Sequence, residues 1–279
     1  MSLQIVLCAD DFALNAPVSQ SIAALAAKGR LSATSALVLS PRWAQDVHSL
    51  HALRGQVDVG LHLDWTSAFA QSAGHGMPLS VLMVRAALDL LNPAALRGVI
   101  ERQLDTFEAH WHAPPDHIDG HHHVHQFRGI REALLETVQR RYPQNRPWVR
   151  VSLALPGQRN LKAHIIAAWG AQALIRQADQ ARVPHSALLS GIYDFSGGEV
   201  DYARHMVRWL HAARAHTVLM CHPAQKGGVS TSMGHAGIWE NAYLDSDAFA
   251  QALVDAGVRL ARGQDLFCPR ACSSNACLK

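Results

Sequence analysis

The sequence has little of what marks a membrane, nucleic-acid-binding or disulfide-built protein. No stretch approaches the roughly 18 uncharged apolar residues that a membrane-spanning helix needs, so no span is expected. The formal net charge is +3 over 279 residues, too small for the basic face that nucleic-acid binding normally requires. No basic segment precedes the first apolar run, so a secretory leader is not expected and a cytoplasmic location is. Cysteine is scarce and odd in number: Cys8, Cys221, Cys268, Cys272 and Cys277. That count argues against a disulfide framework. Cys8 and Cys221 lie in apolar, strand-like runs and read as buried reduced thiols. The other three crowd a tail, residues 265–279, with no histidine and no standard zinc spacing. It reads as a flexible end to a single domain over residues 1–264.

What is present is apolar and periodic. Hydrophobic residues make up 49% of the chain, enough for one large core or two modest domains. Short apolar runs at 3–8, 32–39, 57–63, 117–119, 149–153, 187–192, 217–221 and 258–261 read as strands. Helical patterns at 81–91, 94–111, 130–141, 163–181, 202–215 and 246–256 lie between them. A first helix starts at the Asn15 cap, carries Pro17 in its opening turn and stops at Gly29. Asn92-Pro93 separates and caps two more. Alternating strands and helices predict an α/β fold with a parallel sheet, here a distorted seven- or eight-stranded β/α barrel of the TIM type. A doubly wound open sheet is the alternative. The irregular stretch 65–79 interrupts one connection and reads as a substrate-covering element.

Histidine is abundant, with 18 in the chain, and its clustering carries more information than its total. His117-Ile118-Asp119-Gly120-His121-His122-His123-Val124-His125 puts five histidines and an aspartate into nine residues. An apolar core does not need so many polar rings, and a solvated loop rarely selects histidine over lysine or glutamate. Metal binding or proton transfer is therefore indicated, although five rings cannot all bind one ion. Three other polar groups sit where apolar runs end: Asp10-Asp11, His62 within Gly-Leu-His-Leu-Asp, and His222 within Met-Cys-His-Pro. Each alone could be a turn or a core residue. Together they supply an Asp/His/His set for a divalent ion acting as Lewis acid and water activator. A spare aspartate and a spare histidine would remain for general base and general acid.

The motifs Ala-Asp-Asp-Phe-Ala-Leu-Asn (9–15), Gly-Leu-His-Leu (60–63), the histidine block (117–125) and Cys-His-Pro (221–223) occur in this order. As a set they resemble the YdjC-like carbohydrate deacetylases, which include chitooligosaccharide deacetylases and hopanoid-associated HpnK proteins. The resemblance covers roughly residues 3–262. It implies a distorted β/α barrel, one divalent metal usually described as magnesium, and frequent homodimers. By position, it implies Asp11, His62 and His121 as metal ligands, Asp10 as base and His222 as acid. The residues His117, Asp119, His123 and His125 are then supporting or alternative ligands. The family's usual glycine after Asp-Asp-Phe is Ala13 here. Arg150 falls on the strand that offers an arginine to substrate.

The activity implied is removal of an acetyl group from an N-acetylated sugar or glycoconjugate. Arg150, the loop 65–79, Trp65 and Tyr193 are expected to border the pocket, since sugars stack on aromatic rings. Zinc, manganese, cobalt and nickel suit such ligands as well as magnesium. Competing readings are a metal-dependent phosphoesterase, another amidohydrolase, or a non-enzymatic metal-binding protein.

Overall fold

A computed structural model describes residues 2–156, 161–227 and 232–268. Strand β1 (Leu3–Phe12) leads into α1 (Ala16–Ala27) and β2 (Ala33–Ala36), then the short turns α2 (Trp43–Asp46) and α3 (His48–His51). Next come β3 (Asp58–Leu63), α4 (Ala68–Ser72), α5 (Leu79–Ala87) and α6 (Pro93–Trp111). Strand β4 (His117–Gly120) runs into a 3₁₀ stretch over His121–Gln126, followed by α7 (Ile130–Arg141) and β5 (Trp148–Val149). After α8 (Leu161–Ala168) and α9 (Ala171–Ala181) come β6 (Leu188–Ser190), α10 (Glu199–Ala212) and β7 (Thr217–Cys221). The described residues finish with α11 (Ser232–Asp245), α12 (Asp247–Asp255), β8 (Val258–Leu260) and α13 (Gly263–Phe267).

The strands form one sheet in the order β5-β4-β3-β2-β1-β7-β6, with β8 also pairing β1. Every pairing is parallel. The sheet curls, and its two ends approach each other. The backbone N–H of Leu189 donates to Leu153 at 2.7 Å, and that of Ser186 to Val149 at 3.1 Å. The result is an incomplete β/α barrel, as the alternating pattern predicts, and not a doubly wound sheet.

Burial on both faces explains the apolar strands. Residues Ile5 to Ala9 are at most 1% exposed. One large core lies between strands and helices; a smaller one, with Val6, Cys8, Ala33, Trp148, Leu189, Val218 and Met220, fills the barrel interior. Helix α1 joins the outer layer through Val18, Ile22, Leu25 and Ala26. Its predicted Asn15 cap accepts the Val18 N–H at 3.0 Å, and Asn92 caps α6 on the Ala95 N–H at 3.0 Å.

Several element boundaries differ from the sequence reading. The long helix expected at 163–181 is broken at Gly170, which has φ +131°. A Cβ there would lie 2.1 Å from the Gln126 carbonyl oxygen, so close approach of two segments demands glycine. Strand β5 is only two residues long, Trp148–Val149, shorter than the run at 149–153 predicts. Helix α11 carries no clear amphipathic stripe and has no counterpart in the sequence reading. Of the residues 265–279 expected to be a flexible tail, those from 269 on, with Cys272 and Cys277, lie outside the described residues. Those before them complete α13, whose Phe267 packs on Trp148 with ring centroids 5.0 Å apart.

Candidate active site

Four strand ends deliver polar side chains to one mouth of the barrel, at the carboxyl ends of the strands. Asp10 and Asp11 come from β1, His62 from β3, His121 from just after β4 and His222 from just after β7. All five line a cavity of about 400 Å³. Its walls are largely apolar, with Leu79, Met83, Phe127, Ile166, Trp169 and Phe195 among them.

The two aspartates diverge. Asp11 has φ +66°, a left-handed conformation that turns it away from the strand's alternation. Its Oδ1 lies 3.1 Å from His121 Nδ1 and 3.4 Å from His62 Nε2. Ligand atoms of Asp11, His62 and His121 all lie within 4.8 Å of one another. Donors bonded at about 2.0–2.2 Å to one ion sit roughly 3 Å apart, so the three can hold a divalent cation with little movement.

His62 is oriented for that purpose. Its Nδ1 lies 2.6 Å from Asp119 Oδ1, leaving Nε2 toward Asp11. A carboxylate behind a histidine fixes the ring and raises its basicity as a ligand. Burial alone would lower the His62 pKa, but Asp119, Asp10 and Asp11 hold it up at about 9. Three carboxylates thus lie near the ring, two of which, Asp10 and Asp119, also contact Arg150. The donor set fits a divalent ion.

Asp10 faces the other way, onto Arg150. The guanidinium donates to Oδ1 at 2.7 Å and to Oδ2 at 2.9 Å, and also lies 3.1 Å from Asp119. Burial would raise the Asp10 pKa, but Arg150, His62 and His222 outweigh it and hold the carboxyl well below the usual range. Asp10 is therefore ionised, with both carboxylate oxygens held by Arg150. His222 Nε2 lies 3.9 Å from Asp10 Oδ2, beside it in the same cavity.

The histidine block disperses. Only His121 faces Asp11. His117 is fully buried and stacks on Trp148 at 4.4 Å; Gly60 is side-chain-free because a Cβ would meet that ring at 2.4 Å. His125 is also buried, its Nε2 2.7 Å from the Arg150 carbonyl oxygen. His122 and His123 take left-handed φ values of 54° and 59° and line the cavity. Their Nδ1 atoms sit 2.9 Å from Thr66 Oγ1 and 3.0 Å from Ser152 Oγ. A second group, Cys8, His117 and Asp119, also has ligand-like spacing, but none of the three lines the cavity and Arg150 already contacts its carboxylate.

Three expected substrate contacts are corrected. Arg150 is 0% exposed, and Asp10 and Asp119 occupy its guanidinium. Trp65, 2% exposed, packs against His75 in the core. Tyr193 turns its hydroxyl to Glu240 at 2.7 Å. The rings that border the cavity are Phe127, Trp169 and Phe195 instead. Only the end of the 65–79 loop, Leu79, reaches it. His122, adjacent to His121, was within reach of the sequence argument. Lys162 and Phe195 also line the cavity and carry no sequence motif.

The model of the YdjC-like proteins matches residues 4–255. The chain belongs to the YdjC-like family. Among curated proteins, this YdjC-like chain is 28% identical over 146 residues to a chitooligosaccharide deacetylase of Proteus mirabilis (strain HI4320), covering 50% of this chain and 57% of the relative. The chain thus spans just over half the length of that relative. Among solved structures, a protein of Enterococcus faecalis V583 carried under the name of a cellobiose-phosphate cleavage protein superposes with TM-score 0.70 at 20% identity. The match covers 96% of this chain and 100% of the other, and it shows a shared fold. No helix among the described residues is long and apolar enough to cross a membrane.

Proposed function

We propose that the chain is a metal-dependent hydrolase that removes the acetyl group from an N-acetylated amino sugar or glycoconjugate. The observation that carries the reading is the divergence of Asp10 and Asp11: one meets two histidines, the other an arginine, and both open onto one cavity. The curated relative's name supports the choice of substrate class. The apolar walls and the Trp169 and Phe127 rings suit the apolar face of a pyranose ring.

Asp11, His62 and His121 would hold the ion. Bound there, a divalent metal supplies Lewis acidity toward the acetamide carbonyl and makes water more acidic. Asp10, kept ionised by Arg150, accepts the proton of the attacking water. His222 gives a proton to the departing sugar nitrogen, which is a poor leaving group without one. Acetate and a free amine result. Magnesium and zinc are the first metals to try, with manganese, cobalt and nickel next.

The test is acetate release from N-acetylglucosamine oligomers by chelator-stripped protein, resupplied with each metal in turn. Activity should vanish on stripping and return with a divalent ion at about one equivalent per chain. Full turnover by metal-free protein would exclude the reading.

A further inference from the structure

Behind His222 lies a carboxylate that the reaction as written does not use. Glu240, on α11, is 0% exposed. Its Oε2 accepts the backbone N–H of His222 at 2.5 Å, and its Oε1 accepts the Tyr193 hydroxyl at 2.7 Å. No arginine or lysine among the described residues pairs with it. Burying a carboxylate without a cation costs several kcal/mol, so a purely packing role would be served better by leucine or methionine.

The surroundings show what the carboxylate holds. Helix α11 is pressed against the exit of β7: a Cβ at Gly237 would lie 2.6 Å from the His222 carbonyl oxygen, and Ala224 N–H donates to the Gly237 carbonyl at 2.9 Å. From the other side, Tyr193 packs on Phe195 with ring centroids 4.7 Å apart. Phe195 in turn meets the His222 ring edge-on, at 5.5 Å and 82°. Phe195 has φ +60°, which a bulky residue adopts only when its surroundings impose it. Both the backbone and the ring of His222 are thus gripped by one unit, Glu240–Tyr193–Phe195, assembled from α11 and the loop after β6.

We propose that Glu240, backed by Tyr193, is a positioning residue that fixes the backbone of His222 so that its ring stands beside Asp10 and the substrate nitrogen. The proposal rests on the reading of His222 as general acid. A geometric error of about 1 Å at a catalytic group can cost roughly 10²-fold in rate. The cost should fall on substrates whose leaving group needs a proton and spare those whose leaving group does not.

The experiment compares Glu240→Gln, Tyr193→Phe and His222→Ala in the metal-loaded full chain, on an N-acetylated sugar and on p-nitrophenyl acetate. For Glu240→Gln, kcat on the amide should fall by roughly 10- to 100-fold, with KM and ester turnover within about threefold of the parent. Tyr193→Phe should move in the same direction by less, and it carries the test if Glu240→Gln does not fold. A second readout is free of activity. In metal-free Glu240→Ala, backbone hydrogen exchange at His222 should accelerate at least about tenfold while β1 keeps its protection. If His222→Ala loses the amide selectively but Glu240→Gln and Tyr193→Phe do not, the positioning role is overturned and the acid reading stands. If His222→Ala spares amide turnover, the acid reading itself fails. Unchanged exchange at His222 in Glu240→Ala overturns the positioning role directly.

Discussion

Both ends of the barrel are built around buried aspartates. At the amino ends of the strands, Asp58 accepts hydrogen bonds from Trp148 Nε1 at 2.9 Å, Arg262 Nε at 2.7 Å and the Gln264 backbone at 2.9 Å. Asp116 beside it accepts the Val59 N–H at 2.8 Å. Helix α13 closes this end, and Gly263 allows it to lie flat on Trp148, where a Cβ would come within 2.4 Å. At the carboxyl ends, Asp11, His62 and His121 meet around an open cavity, and among the described residues Asp11 pairs with these histidines and with no arginine or lysine. A carboxylate whose partners are all protein groups holds structure together. One that faces histidines across a cavity is available to a ligand. Burial alone does not separate them, since Asp58 is 0% and Asp11 3% exposed.

The sharpest way to break this comparison is to exchange the expected losses. Asp58→Ala should cost about 3 kcal/mol or more of stability, because it strands the Trp148 and Gln264 N–H groups and removes the nearest carboxylate from Arg262. The fraction that remains folded should bind metal normally. Asp11→Asn should do the opposite. Asparagine suits a left-handed backbone, so the turn should survive and the stability loss should stay below that of Asp58→Ala, while metal content collapses. Urea denaturation of the stripped proteins and metal analysis after reloading measure both. Equal stability losses at the two ends would remove the distinction.

Arg150 sharpens it from inside the mouth. Its guanidinium contacts two buried carboxylates, so Arg150→Ala should leave Asp10 and Asp119 with only histidines as cationic partners and cost about 3 kcal/mol or more. A residue that only contacted substrate would raise KM at unchanged stability; here denaturation should register the loss first. This is where the sequence stopped being legible. The positions of Asp10, Asp11, His62, His121 and His222 at strand ends followed from apolar runs that stop at polar residues. The direction of a side chain at a strand end did not, because Asp11 departs from alternation through its left-handed φ. The rings at 117–125 were indistinguishable by spacing, and only the turn at His122 and His123 sorts them. Arg150 was expected at the substrate from the resemblance alone; its partners Asp10 and Asp119 lie on strands far away in the chain, so no spacing reveals the pairing.

A smaller effect distinguishes the ends by pH. Burial, and then the neighbouring Asp58, raise the Asp116 pKa to about 7. An acid with a raised folded pKa favours the fold while protonated. Its contribution is present below the unfolded value near ~3.9 and is lost as pH rises through about 7. Asp10 and Asp11 run the other way: their lowered values give stability above ~3.9 that is lost as pH falls through their folded pKa values. Asp116→Asn should therefore flatten the decline between about pH 4 and 7 and leave the acid limb unchanged. Denaturation midpoints at pH 5 and pH 8 check this. A parent protein that gains stability across that window relative to Asp116→Asn would contradict the sign.

The smallest expected effect lies in the turn that carries the two aspartates apart. Ala13, where the family usually has glycine, is fully buried with φ +71°. Its N–H is held by Ser19 Oγ at 3.1 Å and its carbonyl by Ser40 Oγ at 2.6 Å, so the conformation is imposed from both sides. A left-handed alanine costs about 1–2 kcal/mol, which glycine would relieve. Against that stand the loss of a buried methyl, about 0.8 kcal/mol, and glycine's extra unfolded-state entropy, about 0.4–1 kcal/mol. These nearly cancel, so Ala13→Gly should change stability by less than about 1 kcal/mol and leave metal content intact. Ala13→Val should be different in kind: a β-branched residue is a genuine outlier at this φ, and the added methyls overpack a closed site, for a loss of about 2–4 kcal/mol. If valine is tolerated as well as glycine, the Ser19 and Ser40 clamps do not impose the turn, and the divergence of Asp10 from Asp11 must be held by their own partners.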